Sequence, residues 1–446
     1  MTTAARVLVA APGRTAPWTR SLLGPWTMPA LVVSAFLPYL HKGTGLRVEN
    51  ALGAALAVVA LCTLLVRARL ERALVLPLIL CTALFVQVVL ATTLGENDPV
   101  YLKSGIGRFD HYFRPVSVLL VAAVAFHGVG RDGRERALQQ SLRVLLVGTS
   151  VNALLQLGTL TGSIGNLLDP FRPGTGPSLE VTVAELAALN NRFSGIFNQP
   201  VEHGLVYAVA LLGCVYLWRR EGISPLALLV AVALLFVGGV LAFSKVFLLG
   251  GVPVAIIMAL TQGGLRPKHL LGTLAAVAVL GSIAAVVLSR WEGAEAVFAL
   301  GRMLADPERL LYALSGGRVG NTEVGEEVLV QHMLTAFRQS PLFGVGTATG
   351  LLLQDNEYTM TLAECGLVGL LLLLGRAVAM LLPAAGARWR DPALPLFVAI
   401  IVVTVGGAMG GPVSGIPRSG TVLWVFYALT ALVLAAPRTG RTEGPP

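Results

Sequence analysis

Residues 355–374 read DNEYTMTLAECGLVGLLLLL. The polar cluster Asp355-Asn356-Glu357-Tyr358 closes a long polar segment, and Glu364-x-Gly366 leads directly into an unbroken hydrocarbon run. This order is typical of a solvated site at the membrane surface, held at the end of a transmembrane helix. We therefore interpret the preceding chain as the scaffold that builds a basin around this site.

The composition indicates a polytopic membrane protein. Of the 446 residues, 55% are hydrophobic and 13% are charged, and the mean hydropathy is +0.75. Soluble domains have about 25% charged residues, so this chain has roughly half the usual charge. The net charge of +9 does not indicate nucleic-acid binding, because the basic residues are scattered between apolar runs, where they act as topological signals.

The hydropathy pattern predicts an all-α polytopic membrane protein, a single integral membrane domain over residues 1–446 with about 12 transmembrane helices. A spanning helix needs about 20 mostly apolar residues, and in lipid its backbone must be paired internally. The stretches that qualify or nearly qualify are 22–40, 50–66, 73–93, 115–129, 142–160, 201–218, 224–243, 246–261, 270–288, 362–382, 393–410 and 420–436. The N-terminal stretch lacks a clear cleavage site for a signal peptidase, and we interpret it as an uncleaved anchor.

The basic residues predict the orientation. When the N-terminus is placed inside, the short loops divide 18 to 7 in favour of the cytoplasm, as the positive-inside rule requires. Both termini are then cytoplasmic. Two long segments face outward: a first outer loop at 161–200 and a main outer loop at 289–361, with short amphipathic helices expected at 294–312 and 324–339. Structureless loops of such length are uncommon and usually functional.

Several mechanisms are excluded by the sequence. A P-loop needs Gly-Lys-Ser/Thr, and the one lysine that precedes a Ser or Thr, Lys103, follows Leu102. No His-Glu-x-x-His motif occurs, the six histidines form no metal-ligand pair, and the four cysteines show no metal or disulfide spacing. We therefore expect no metal, no cofactor and no direct use of ATP.

Three cations are the candidate binding residues. Arg192 lies at the mouth of the span that begins near Pro200, Lys245 follows Ser244 between two spans, and Arg318 follows Ser315-Gly316-Gly317. An ionisable residue within an apolar region indicates function by default, and flanking glycines let backbone amides approach an anion. The alternatives are a lysine that snorkels to the surface and solvated loop arginines.

Five motifs, in order, resemble the O-antigen ligase and polymerase superfamily. They are Arg192-Phe-Ser-Gly195-Ile-Phe197-Asn198-Gln-Pro200, Ser244-Lys245, Ser315-Gly-Gly-Arg318, Pro341-Leu-Phe-Gly344-Val-Gly346, and Asp355-Asn356-Glu357-Tyr358 with Glu364-x-Gly366-Leu-Val-Gly369. No single motif is specific. The resemblance covers about 190–375 by motif and the whole chain by topology.

The resemblance implies a metal-independent glycosyltransferase of the GT-C type in the bacterial cytoplasmic membrane. Such enzymes take a glycan from an undecaprenyl pyrophosphate-linked donor at the outer face. The acceptor is a growing glycan for a polymerase, or lipid A-core for a ligase. Further partners would be a chain-length regulator, a flippase and membrane lipids. Cations fit this chemistry, because they stabilise the charge of a pyrophosphate leaving group, and arginine binds phosphate oxygens in pairs.

Two departures from the family pattern matter. The family's histidine before Asn, a candidate base, is Asp355 here, and Lys245 stands where arginine is usual. A carboxylate can act as a general base, so Asp355 is the candidate catalytic residue, with N-capping of the next helix as the alternative. His203, His332 and Glu357 are substitute bases, although the histidines have structural roles as alternatives. Asn198 and Asn356 complete the candidate set.

We therefore predict a polysaccharide polymerase, for O-antigen, exopolysaccharide or capsule, because the ligase-like histidine is absent. An O-antigen ligase is the alternative within the family. A lipid-linked sugar flippase or other transporter is the alternative of another class, disfavoured by halves that do not match and by polar residues gathered in two loops. A sensor or structural membrane protein remains a third class.

Overall fold

The computed structural model describes residues 23–42, 45–66, 69–95, 99–172, 192–220, 223–262, 334–347, 356–389 and 391–437, with the backbone alone at 99–107, 165 and 225. Helix makes up 77% of the structure, which confirms the predicted all-helical class at that level. Within the described ranges, six helices are long and apolar enough to cross a membrane.

The helices follow the apolar runs because each pairs its own backbone, a local property that needs no distant partner. They are α1 Thr27–Ser34, α2 Val48–Val66, α3 Arg72–Leu94, α4 Pro99–Ala125, α5 Arg131–Leu160, α6 Pro200–Arg219, α7 Pro225–Ala242, α8 Val252–Gln262, α9 Glu357–Ala385, α10 Ala393–Gly407 and α11 Pro417–Ala435. A 3-10 helix spans Gly165–Phe171, a π-helical turn spans Val246–Gly251, and residues 334–339 are helical. The predicted span 270–288 lies outside the described residues.

The first predicted span, 22–40, does not form one long helix. α1 has eight residues, which is about 12 Å of helix and too short to cross a bilayer. Pro38 follows, and a proline disfavours helix in the residue before it. The chain then forms an antiparallel pair of strands, β1 Tyr39–His41 and β2 Leu46–Arg47, which the all-helical prediction did not include.

α4 begins at Pro99, sixteen residues before the predicted span at 115. A proline at the first helical position is favourable, because its missing N–H is not needed there. Polar side chains in this extension find partners on other helices: Arg108 pairs with Glu364, and Arg114 donates to Asn50. Arg114 also pairs with Asp110, one turn earlier in α4. Hydropathy alone could not detect this polar extension.

Ion pairs join the helix ends on one side of the bundle, which we call the opposite end. They connect α5 to the start of α3, to the segment before α10, and to the end of α6. The pairs are Arg134–Glu71 at 2.8 Å, Arg131–Asp391 at 2.6 Å and Arg220–Glu135 at 3.0 Å. These residues lie in the segments for which the charge pattern predicts a cytoplasmic location.

The other side of the bundle, which we call the site end, gathers the β-hairpin, residues 192–200, the turn at 243–246 and the loop 408–416. Asn198 donates to the Tyr39 hydroxyl at 2.7 Å, and Arg192 donates to the Phe243 carbonyl at 3.1 Å. α6 and α11, buried along most of their lengths, form the centre of the bundle. The predicted first outer loop and the start of α9 therefore meet at one end of the molecule.

Candidate functional site

Two glycine motifs that are distant in the sequence pair directly through their backbones. Val345 donates to the Ala363 carbonyl at 3.1 Å and Gly346 to the Glu364 carbonyl at 3.0 Å. In return, Leu367 donates to the Pro341 carbonyl at 2.9 Å and Val368 to the Leu342 carbonyl at 3.1 Å. The Pro341–Gly346 motif and the Glu364–Gly366 motif thus form one unit.

This pairing depends on a break within α9. Gly366 has φ 65° and ψ −164°, a conformation open essentially to glycine alone. The helix stops at Cys365, reverses and starts again, so its first part, which we call the half-helix (residues 357–365), packs against its second part. The prediction that 362–382 forms one span is therefore wrong, because the chain changes direction inside it.

α3 holds the paired motifs in place. The Gln87 side-chain amide donates to the Phe343 carbonyl at 2.9 Å and to the Cys365 carbonyl at 3.3 Å, one on each motif. Five residues further along α3, the Thr92 hydroxyl accepts a hydrogen bond from the Thr347 backbone N–H at 3.0 Å. A single amide therefore fixes both motifs to the same helix.

Glu364 is bound by two side chains of α4. Its carboxylate accepts from Arg108 and, at 2.6 Å, from the Tyr112 hydroxyl. Arg108 also reaches the Thr347 carbonyl at 3.4 Å. Glu364 is 1% exposed, so Arg108 supplies the countercharge that a buried carboxylate requires.

Glu357 is bound by three donors. Arg376 donates to its carboxylate at 2.9 Å, the Ser414 backbone N–H at 3.1 Å, and the Ser414 hydroxyl also donates to it. Glu357 and Arg376 both belong to α9 and are 19 residues apart in the sequence. In a straight helix they would be about 28 Å apart. The break at Gly366 brings them together. Because its oxygens are committed, Glu357 serves this structure better as an anchor than as a base.

Asn356 is the N-cap of α9. Its side-chain oxygen accepts from the Tyr358 backbone N–H at 2.9 Å and the Thr359 N–H at 3.3 Å. The capping role that the sequence analysis offered as the alternative for Asp355 therefore belongs to Asn356, because the chain enters the helix one residue later. Asp355 itself lies outside the described residues, as do Arg318 and His332.

Arg192 and Lys245 belong to adjacent segments. Phe193 donates to the Leu241 carbonyl at 2.9 Å and Arg192 to the Phe243 carbonyl, two residues before Lys245. Both cations are partly exposed. Phe243 has φ 48°, an uncommon value for a residue with a side chain, and the π-helical turn begins directly after Lys245.

A short path of contacts links these cations to the start of α9. A Cβ added at Gly407 would lie 3.4 Å from Val246, the residue after Lys245. The next residue, Ala408, accepts a 2.8 Å hydrogen bond from the Glu357 backbone N–H. The end of α10 is thus flanked by the Lys245 turn on one side and by the residue two after Asp355 on the other.

Asn198 and His203 take structural positions around α6. The Asn198 backbone N–H donates to Glu202 at 3.0 Å, in addition to the side-chain bond to Tyr39. His203 is 0% exposed, stacks on Tyr207 with ring centroids 3.8 Å apart, and meets Phe197 edge-on at 5.5 Å. A fully buried ring cannot reach a substrate in this arrangement.

A buried charge cluster lies beneath residues 192–200. Arg47 pairs with Glu49 at 3.5 Å and with Glu202 at 3.4 Å. Burial acts to lower the pKa of the Arg47 guanidinium, but Glu202 and Glu49 more than offset it and hold that pKa above its ordinary value. Arg418, 0% exposed, donates to the Ile196 and Leu37 carbonyls. This cluster fixes the position of the Arg192–Pro200 motif on the bundle.

An open groove of about 590 Å³ runs along α3 beside the paired motifs. Leu90, Leu94 and Phe343 line it, and each of them is strongly exposed. Gln87 and Ser340 also line this groove, so an apolar wall adjoins the polar groups that hold the motifs.

Sequence reasoning missed most of these buried charges. Arg376 carried a usable signal, because it is an ionisable residue inside an apolar span, the rule that singled out Lys245. Glu364 carried the same signal, but nothing in the sequence pointed to Arg108 as its partner, because the two residues are 256 positions apart. In the part of the chain that the structure describes, no group of three His, Cys, Asp or Glu side chains could hold a metal ion.

No protein-family model matches the sequence, and no curated protein matches it.

Proposed function

We propose that this protein is a polysaccharide polymerase, a metal-independent glycosyltransferase that uses undecaprenyl pyrophosphate-linked repeat units. The acceptor hydroxyl attacks the anomeric carbon of the donor glycan, and the bond from that carbon to the pyrophosphate breaks. The pyrophosphate leaves with the electron pair, and the carboxylate of Asp355 accepts the hydroxyl proton. The products are the lengthened glycan and undecaprenyl pyrophosphate.

The observation that carries this proposal is the path from the two cations to the start of α9. Arg192 contacts the turn that carries Lys245, that turn adjoins Gly407, and Ala408 bonds to Glu357, two residues from Asp355. A lipid pyrophosphate donor needs cations at its leaving group and a base close by, because charge develops on the leaving oxygen as the glycosidic bond breaks. These segments are far apart in sequence and share one end of the bundle.

The groove along α3 supports a lipid-linked donor. Leu90, Leu94 and Phe343 present exposed apolar side chains. The isoprenoid tail of a lipid carrier can pack against such an apolar wall and stay out of water. Gln87 and Ser340 line the same groove, so polar groups adjoin this apolar wall beside the paired glycine motifs. A carrier lipid bound here would present its headgroup toward the site end.

The test is a polymerisation assay with purified protein in detergent and lipid-linked repeat units. Polymer longer than one repeat should form without added metal or ATP. Arg192→Ala should slow polymer formation by about 10–150-fold, because losing a charge-assisted hydrogen bond costs about 1.5–3 kcal/mol. Arg136→Ala is the matched control, since Arg136 is exposed near the opposite end and should leave polymer length unchanged. Equal activity in the two variants would remove Arg192 from the site.

A lipid-linked sugar transporter is a second candidate, because the half-helix is a feature of transporters. Helices broken within the membrane line the substrate sites of many transporters, and α9 is broken at Gly366. The two functions differ in what they need. A polymerase lengthens glycans in detergent, where no compartments exist, whereas a transporter moves lipid-linked sugar only across a sealed membrane. Movement in proteoliposomes without any chain growth would favour the transporter.

A further inference from the structure

A small cavity lies between α4, the half-helix and the loop before α11. Its volume is about 10 Å³, and its lining includes His111, Glu357, Thr361, Arg376 and Ser414. His111 also adjoins the loop, since a Cβ added at Gly415 would lie 2.7 Å from the His111 Cβ. The cavity therefore borders the Glu357–Arg376 pair.

Three polar atoms in this lining have no hydrogen-bond partner among the residues that the structure describes. They are His111 Nδ1, Thr361 Oγ1 and Arg376 Nε, and each atom is buried. Thr361 and Arg376 are 1% and 6% exposed. Buried polar groups in folded proteins nearly always have a partner, so three orphans around one cavity point to a shared partner inside it.

The size and chemistry of the cavity select the partner. A volume of about 10–15 Å³ for the centre of a water-sized sphere holds one water molecule. A chloride ion is larger, and a metal cation is repelled by the Arg376 guanidinium. Arg376 Nε can only donate a hydrogen bond, whereas the threonine hydroxyl and the Nδ1 atom of a neutral imidazole can each either donate or accept one. Water donates two hydrogen bonds and accepts two, and it satisfies all three atoms.

We propose that this cavity binds one water molecule, which accepts from the Arg376 Nε–H and bridges to His111 Nδ1 and Thr361 Oγ1. The water ties α4 to both parts of α9 and thereby completes the coordination of the Glu357–Arg376 pair. His111 is then a positioning residue for the segment that begins at Asn356. This inference does not depend on the proposed glycosyltransferase activity.

A double-mutant cycle on thermal stability tests the shared partner. His111→Phe keeps a ring and removes Nδ1, and Thr361→Val keeps the shape and removes the hydroxyl. Each should lower the apparent melting temperature by about 2 °C. Because both disrupt the same water, the double variant should lose clearly less than the sum. Additive losses would overturn the proposal.

Thr404→Val provides the matched control for the cycle. Thr404 is buried on α10, but its hydroxyl donates to the Ile400 carbonyl at 2.6 Å, and it does not line the cavity. Its loss should add fully to that of His111→Phe. Non-additivity of the same size in this pair would mean that the coupling is general and would refute a local water.

A direct measurement keeps the proposal testable if His111→Phe does not fold. An experimental density map of the unmodified protein, at a resolution that shows ordered solvent, should contain one peak in the cavity. That peak should lie about 2.7–3.2 Å from His111 Nδ1, Thr361 Oγ1 and Arg376 Nε. A featureless cavity would overturn the proposal, as would a peak bonded to none of these atoms.

Discussion

Replacing Gly366 with alanine should disrupt the break in α9 that shapes the candidate site. Gly366 has φ 65° and ψ −164°, which a residue with a Cβ adopts only with strain. An added Cβ would also collide with the Leu342 carbonyl group and lie 2.6 Å from the Gly344 nitrogen. These neighbours are backbone atoms that cannot rotate away. The chain would have to separate the two glycine motifs to accept the methyl group.

The magnitude follows from two terms. A residue forced into a sparsely populated backbone conformation costs about 1–3 kcal/mol. Separation of the motifs breaks hydrogen bonds such as Leu367 to Pro341 and Val368 to Leu342, and each contributes about 0.5–1.5 kcal/mol. We expect a total loss of about 2–6 kcal/mol in the free energy of unfolding. For a chain of this length, that lowers the melting temperature by about 4 °C.

The assay uses a dye that fluoresces on reaction with a thiol, in a background where Cys365 is the one remaining cysteine. Cys365 is buried directly before Gly366, so its labelling rate reports local opening of the break during a thermal ramp. Gly386→Ala is the matched control. Gly386 follows the same helix with φ −94°, and nothing lies within 4 Å of its added Cβ, so we expect no shift.

The outcome that refutes the reasoning is simple. If Gly366→Ala and Gly386→Ala label and melt identically, the positive φ is not needed, and α9 can run straight through position 366. The Glu357–Arg376 contact would then be absent as well, because a straight helix holds the two residues far apart. Early labelling of Cys365 in the Gly366 variant alone supports the break.

Three further outcomes are expected. Arg376→Met or Glu357→Gln alone should lower the free energy of unfolding by about 3–5 kcal/mol, because each leaves one buried charge without its partner. The double variant has neither charge, so it should recover most of that loss in a chemical or thermal melt. Lys245→Ala should abolish polymer in the purified assay and Lys245→Arg should retain it, since arginine keeps the charge and adds a bidentate fork; loss in both would indicate a packing role. Asp355→Asn should cut the polymerisation rate by about 10²–10⁴-fold with donor binding unchanged, and near-normal turnover would remove Asp355 as the base.

The paired glycine motifs can hold the residues next to the proposed base in a fixed position. Asn356 and Glu357, the two residues that follow Asp355 in the sequence, are both fixed by specific bonds. Residues that position reacting groups must be held rigidly, because small displacements lower rates sharply. The half-helix supplies such a support two residues from the proposed base.

Local sequence information was sufficient for the class of protein and for most helices. Apolar runs and sparse charge indicate membrane-crossing helices, because each helix pairs its own backbone in lipid without distant partners. The start of α6 at Pro200 and the start of α11 at Pro417 lie within a few residues of the predicted boundaries. The same local rule failed at 22–40, where α1 ends at Ser34 and a β-hairpin follows Pro38.

Only the tertiary structure decided which charges meet. Glu364 is neutralised by Arg108 from another helix, and Glu357 by Arg376 beyond a reversal of the chain. Hydropathy reads Glu364 and Arg376 as isolated interruptions of one span, because the attraction between charges depends on distance in space and not on separation in sequence. The sequence therefore determined that this chain forms a helical membrane bundle with polar motifs in a set order. The break at Gly366, which no periodicity encodes, decided that those motifs pack together at one end.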